Sequence, residues 1–463
     1  MSEALYERLQ RLKRGARGET RTGQTPSEAA ASSGAGASSG AGASSGAGAS
    51  SGRRETSDTA SEARQSLERL GFTESTDGVF VRSIERDIGK AAARIRAKRN
   101  SGGMILPAEA GEPAFFDVES TGLGAGAGNV AFLVGAATVL DEARIRVEQL
   151  LLPDYPDEPR FLERTARLLP HDCLLVSYNG KGFDTNLLRS RFLMNGIRWS
   201  EPRQLDLLYT VRRLWGKVFP DCRLSTVERQ LLGVERGRDV AGAEVPDRYF
   251  AFLETGAGEV LRDVVAHHEQ DMLSLILLLD TIEETVSRAR GIAVAGSSSS
   301  GDQARSPRGV AVDPGGAPEV SDETPSFVRP GGGSGTPGDL PAADPAGVAR
   351  ALLAASGTDA AVGWLHYACV GRSPSGDARR AMVLLAGLLK RRAQFEEASR
   401  LWSRLFHEGQ SVLAGIELAK HLEHRSRNIP AALAVCEKLL HHTGTAREDI
   451  EHRYRRLRRK ASR

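Results

Sequence analysis

The chain has 463 residues, with Lys+Arg 62 against Asp+Glu 59, a formal net charge of +3, and only 5% aromatic residues. This balance excludes a histone-like or polybasic protein. With 50 Gly, 20 Pro and 40% hydrophobic residues, part of the length must be linker, so the folded units are fewer or smaller than the roughly three that length alone suggests. The four cysteines, Cys173, Cys222, Cys369 and Cys436, form no CxxC pair, which argues against a zinc ribbon or a disulfide framework.

The first fifteen residues are charged and no apolar h-region follows, so no secretory signal is expected. Residues 31–52 repeat ASSGAG and offer nothing to bury. Residues 1–60 are therefore expected to be a disordered head. A globular body spans 61–290. A Gly/Pro/Ser-rich linker covers 291–343, and a helical tail covers 344–463.

Within the body, 114–118, 130–140, 145–152 and 173–178 read as strands. Helices are expected over 158–169, 184–194, 207–214, 225–232, 246–253 and 259–282. Three consecutive strands followed by helix–strand alternation predict an α/β fold with a mixed sheet, antiparallel in one half and parallel in the other. In the tail, seven helices are expected, at 346–355, 358–370, 377–390, 394–407, 411–423, 430–441 and 446–460. Their pairing at a period of about 34 residues suggests stacked helical hairpins of the tetratricopeptide kind. The longest apolar stretch, Leu273–Leu279, closes at Asp280. It is far short of the ~20 residues of a membrane helix. A cytoplasmic protein with no membrane partner is the expectation.

Three short segments carry chemistry. Asp117 and Glu119, in FFDVESTGL, lie two apart on a strand and so share a face. Asp184 closes SYNGKGFD after a second strand. In HHEQD, His267 and Asp271 lie four apart on a helix and face the same way, with His268 beside them. Each segment alone reads as a solvated strand end, a helix cap or a satisfied core polar. Together, four carboxylates suffice for two divalent cations, and oxygen ligands select Mg²⁺ or Mn²⁺. A neighbouring histidine supplies a base for the attacking water.

This pattern, DxExTGL followed by NGKGFD and a histidine-rich aspartate helix, resembles the DEDD 3′–5′ exonucleases of the ribonuclease H-like fold. Within that group the body resembles the YprB-type proteins, through SYNGKGFD, QLDLLYTVRRLW, LSTVERQLLG and the terminal HxxxDxxSL helix. The resemblance covers about residues 70–290. It implies a two-metal nuclease acting on DNA or RNA, with Asp117, Glu119, Asp184 and Asp271 as metal ligands. It also implies substrate contacts at Gly122 and Leu123, while Asn179 either orients the loop around Asp184 or holds a turn. One position departs from the pattern. The histidine subgroup places its base five before the aspartate, where this chain has Ala266. His267 stands where the tyrosine subgroup has its tyrosine, and His268 is the fallback base. The alternative reading is a weak or inactive nucleic-acid-binding scaffold whose helical tail docks a protein partner.

Overall fold

A computed structural model of the chain describes residues 62–107, 109, 111–122, 128–237, 240–298, 343–369, 371–374, 376–441 and 447–462. The expected head, most of the linker and Leu123 lie outside the described residues. The chain forms two compact units. The first comprises residues up to Ala92, Gly111–Leu205 and Gly237–Leu273. The second comprises Ala93–Ala110, Asp206–Arg236 and Ser274 onward.

The sheet has seven strands: β1 (Thr73–Glu74), β2 (Phe80–Asp87), β3 (Pro113–Ser120), β4 (Ala131–Val139), β5 (Arg144–Leu151), β6 (Leu174–Ser177) and β7 (Arg203–Asp206). Their order is β1-β2-β5-β4-β3-β6-β7. Pairing is antiparallel from β1 through β2, β5 and β4 to β3, and parallel between β3 and β6. This is the mixed ribonuclease H-like sheet. The four strands expected from apolar runs are present. β2, the short β1 and β7 were not anticipated, because β2 (FVRSIERD) carries charge on both faces and β7 has only four residues.

β4 (AFLVGAATV) is buried over its first seven residues, as a central strand covered on both faces must be. Helices α2 (Glu158–Leu168) and α3 (Asp184–Met194) follow β5 and β6. In this unit Phe132 of β4 stacks on Tyr249 with ring centroids 4.1 Å apart, and the Tyr249 hydroxyl donates to the carbonyl of Leu152. Tyr249 belongs to α6 (Val245–Thr255); α1 (Lys90–Ser101), α4 (Leu207–Trp215) and α5 (Leu224–Val227) precede it in the chain. The long α7 (Arg262–Ser298) contributes its residues to Leu273 to the first unit and the rest to the second.

Seven further helices follow: α8 (Pro345–Ala355), α9 (Gly357–Cys369), α10 (Gly376–Arg391), α11 (Phe395–His407), α12 (Val412–His424), α13 (Ile429–Leu440) and α14 (Arg447–Ala461). Each packs against the next, and α8 also packs on α4. α8 starts as its sequence requires. Asp344 caps the helix through the Ala346 N–H, and Pro345 occupies the first turn. Composition places a boundary at the Gly/Pro-rich tether. The contacts of the chain instead group Asp206–Arg236 and the later part of α7 with the seven helices.

The α8–α4 contact is a backbone approach. The Asp344 N–H donates to the carbonyl of Leu214 at 2.7 Å, and a Cβ at Gly347 would lie 1.9 Å from the carbonyl oxygen of Arg213. Gly347→Leu must therefore separate the two helices. We expect a loss of roughly 1–3 kcal/mol, read as a lower midpoint in thermal denaturation of the full chain. An unchanged midpoint would mean that this contact does not form.

Candidate active site

β3 turns its polar residues to one side near its end. Asp117 and Glu119 are half-buried while Val118 between them is buried. The strand closes against β4 through Thr121, whose N–H donates to the carbonyl of Val130 and whose Oγ1 accepts the Val130 N–H. Gly122 follows, and a Cβ there would meet Asn129 Oδ1 at 2.5 Å.

β6 leads into the loop carrying Asn179. That residue adopts φ +67°, a left-handed conformation that asparagine tolerates better than most residues. Gly180 comes next, where a Cβ would lie 2.7 Å from Ser177 Cβ and 3.0 Å from Asp184 Oδ2. A bare glycine thus lets the loop fold back over Ser177 and the Asp184 carboxylate. Gln204 of β7 braces the loop, donating to Ser177 Oγ at 2.8 Å and accepting from Thr185 Oγ1 at 3.0 Å. Asp184 is the first residue of α3.

Asp117, Glu119, Gly122, Asn179 and Asp184 all line one cleft of about 250 Å³. Ser120, Tyr178, Phe183, Val245 and Pro246 line it too. None of these five was singled out in the sequence, because nothing local marks a residue as facing a cleft that distant segments enclose. Phe183 is 46% exposed, although it is a large aromatic side chain.

α7 brings the third segment. His267 Nε2 lies 3.7 Å from Asp271 Oδ2 and 4.0 Å from Glu119 Oε1, so the imidazole stands between the strand carboxylate and the helix carboxylate. His268 faces the other way and is fully buried. Its place is set by a row of directly opposed residues. Arg82 of β2 pairs with Gln149 of β5, Gln149 with Gly135 of β4, and Gly135 with Asp117 of β3. Opposed residues share a sheet face. The His268 ring lies over the glycine, where a Cβ would come within 2.5 Å of its Cε1.

The hydrogen bonds along this row fix the tautomer. Arg82 Nη1, a donor only, binds Gln149 Oε1 at 2.5 Å. The Gln149 amide nitrogen therefore faces α7, donating to the Val265 carbonyl at 2.9 Å and to His268 Nδ1 at 3.0 Å. Nε2 then carries the proton and donates to the Asp117 carbonyl at 3.0 Å. Burial disfavours the imidazolium and pushes the His268 pKa down to about 4, against the opposing pull of the Asp117 carbonyl and Asp271. Glu269, also buried, is held by Arg82 Nη1 at 2.9 Å and Arg86 Nε at 2.7 Å. Gln149, on the β5 face that otherwise carries Ile145, Val147 and Leu151, and the glycine at the centre of β4 were the available sequence signals for this row.

The donor set is carboxylate oxygen, which suits Mg²⁺ or Mn²⁺. Among the described residues, no three His, Cys, Asp or Glu side chains stand close enough together to hold an ion without further movement. Like-charged carboxylates around a shared cleft repel one another unless a cation intervenes. Loading therefore requires the side chains to close on the ion. Asp117, Glu119 and Asp184 fit that role by chemistry and by facing the same cleft, and Asp271 stands on the far side of His267 from Glu119.

A family model described as the RNase H superfamily matches residues 114–283. "Uncharacterized protein YprB" of Bacillus subtilis (strain 168) is 30% identical over 335 residues, 70% of this chain and 68% of that one. No helix among the described residues is long and apolar enough to cross a membrane.

The buried histidine makes stability depend on pH. The unfolded chain takes up a proton near ~6.5, whereas folded His268 does so only near about 4. Between these values the unfolded state binds more protons, so stability falls as pH drops through this window, by at most roughly 3 kcal/mol from this group. Urea melts between pH 4 and 7 test this. His268→Gln should be less stable at pH 7 yet show a shallower loss on acidification. An equally steep slope in the variant would assign the acid lability to other groups.

Proposed function

Because the chain belongs to the family of the Bacillus YprB protein and carries a ribonuclease H superfamily domain, we propose that it is a metal-dependent nuclease, and specifically a 3′–5′ exonuclease of the DEDD kind. The observation that carries this reading is the gathering of Asp117 and Glu119 of β3 with Asp184 of α3, more than sixty residues further along the chain, around one cleft. His267 borders Glu119 and links it to Asp271.

In this reading Asp117, Glu119, Asp184 and Asp271 would hold two divalent cations, Mg²⁺ or Mn²⁺. Such ions polarise the phosphodiester and ease deprotonation of the attacking water. His267 takes the water's proton on Nε2, and its position between Glu119 and Asp271 keeps that nitrogen at the carboxylates. His268 cannot share this task, since both ring nitrogens are engaged in the buried row and its side chain has no exposure. It holds the backbone of Asp117 instead. Gly122 and Asn179 border the terminal nucleotide from the wall of the cleft.

The consecutive helices α8 to α14 support a tetratricopeptide-like reading of the tail, a stack of hairpins suited to docking a protein partner.

Asp117→Asn is expected to abolish Mn²⁺-dependent cleavage of a 5′-labelled oligonucleotide while leaving the circular dichroism spectrum unchanged. His267→Ala should lower the single-turnover rate by ~10²–10⁴-fold, the range for loss of a positioned proton acceptor. His267→Tyr places the tyrosine subgroup's residue at the same spacing and is expected to retain more activity than the alanine variant. Wild-type turnover in Asp117→Asn would rule out the metal-site assignment.

A further inference from the structure

α4 divides into two faces. Leu207, Leu208, Val211, Leu214 and Trp215 are buried. Tyr209, Arg212 and Arg213 are exposed, at positions i, i+3 and i+4, and Lys217, also exposed, lies just past the helix end. Two features separate this stripe from an ordinary solvated face. Tyr209 is 54% exposed, an aromatic ring presented to solvent one turn from two guanidinium groups. Arg212, Arg213 and Lys217 also make no ion pair with a carboxylate among the described residues, and residues 207–220 contain no Asp or Glu. Asp221, just beyond, is occupied with the Arg223 backbone N–H at 2.9 Å. Elsewhere on the molecule, arginines such as Arg82, Arg94, Arg191 and Arg236 are committed to buried or half-buried carboxylates.

We propose that this face of α4 is a binding surface for single-stranded nucleic acid, with Tyr209 stacking on an unpaired base and Arg212, Arg213 and Lys217 neutralising consecutive phosphates. A flat aromatic ring flanked by unneutralised cations, on a helix held rigid by its buried face, matches the two components of strand recognition without sequence preference. Protein partners with acidic surfaces would satisfy the cations but leave the exposed ring unused. The choice of a nucleic acid rests on the nuclease reading above, whereas binding itself is measurable without cleavage.

The test uses the full chain in EDTA, with a fluorescein-labelled 20-nucleotide oligo(dT) or oligo(U) followed by anisotropy. Tyr209→Ala is expected to weaken binding by about fivefold or more, the range for loss of one stacked base. Arg212→Gln with Arg213→Gln should weaken it further and lower the slope of log Kd against log salt by about 0.7 for each cation removed. Arg212→Lys with Arg213→Lys should restore most of that slope, which a merely misfolded protein could not do. In parallel, Mn²⁺-dependent hydrolysis of the small ester thymidine 5′-(p-nitrophenyl phosphate) should be unchanged in all these variants, since it needs only the cleft. If oligonucleotide binding and its salt slope are untouched by the glutamine pair while the ester is still cleaved, the surface is refuted and the nuclease stands. If the wild type fails to cleave the ester yet binding depends on these residues, the nuclease reading fails and the surface stands.

Discussion

The first unit depends on one contact: the buried imidazole of His268 laid across the bare Gly135 and bonded to the carbonyl of Asp117. A side chain at position 135 would occupy the place of the ring. Without the ring, the start of α7 would lose its hydrogen bond to the β3 backbone and one of its two hydrogen bonds to Gln149 of β5. Asp271 lies less than one turn further along the helix, so the docking that places His268 also brings Asp271 to the edge of the β3 carboxylates. The carboxylates proposed for chemistry are therefore positioned by a neighbour whose two ring nitrogens are both engaged in the buried row.

That attachment works because each polar group in it is satisfied. Arg82 orients Gln149, Gln149 orients His268, and Arg82 and Arg86 together neutralise the buried Glu269. Buried polar groups of this kind are costly when left unpaired and rigid when complete. The consecutive histidines separate cleanly because successive helical residues point about 100° apart. His268 meets the sheet in neutral form, and His267 reaches the carboxylates around the cleft.

An acidic cleft repels a polyanion, so the carboxylates by themselves explain neither affinity nor approach. Cations bound among them reverse the local sign. Under the proposed function, the grip on a long strand comes from uncommitted positive charge elsewhere. Arginines such as Arg191, Arg236, Arg86 and Arg456 are spent on the structural carboxylates Glu158, Glu228, Glu269 and Glu423. The unpaired stripe on α4 remains.

Much was legible in the sequence because it is local. The apolar runs of β3, β4, β5 and β6 and the seven tail helices follow from periodicity, and the spacing of Asp117 and Glu119 places both on one strand face whatever the tertiary fold. The i, i+4 relation of His267 and Asp271 is equally independent of context. Other features depend on register between segments far apart in the chain. No local pattern reveals that Arg82, Gln149, Gly135 and Asp117 stand in one row, since that follows from the pairing of four strands. Nor does composition show that α4 belongs with the tail helices, because a linker marks where packing is absent along the chain and says nothing about which surfaces meet across it. The sequence named the chemical groups; tertiary structure decided which histidine is buried and which faces the carboxylates, because burial is a property of what the rest of the chain places over a residue.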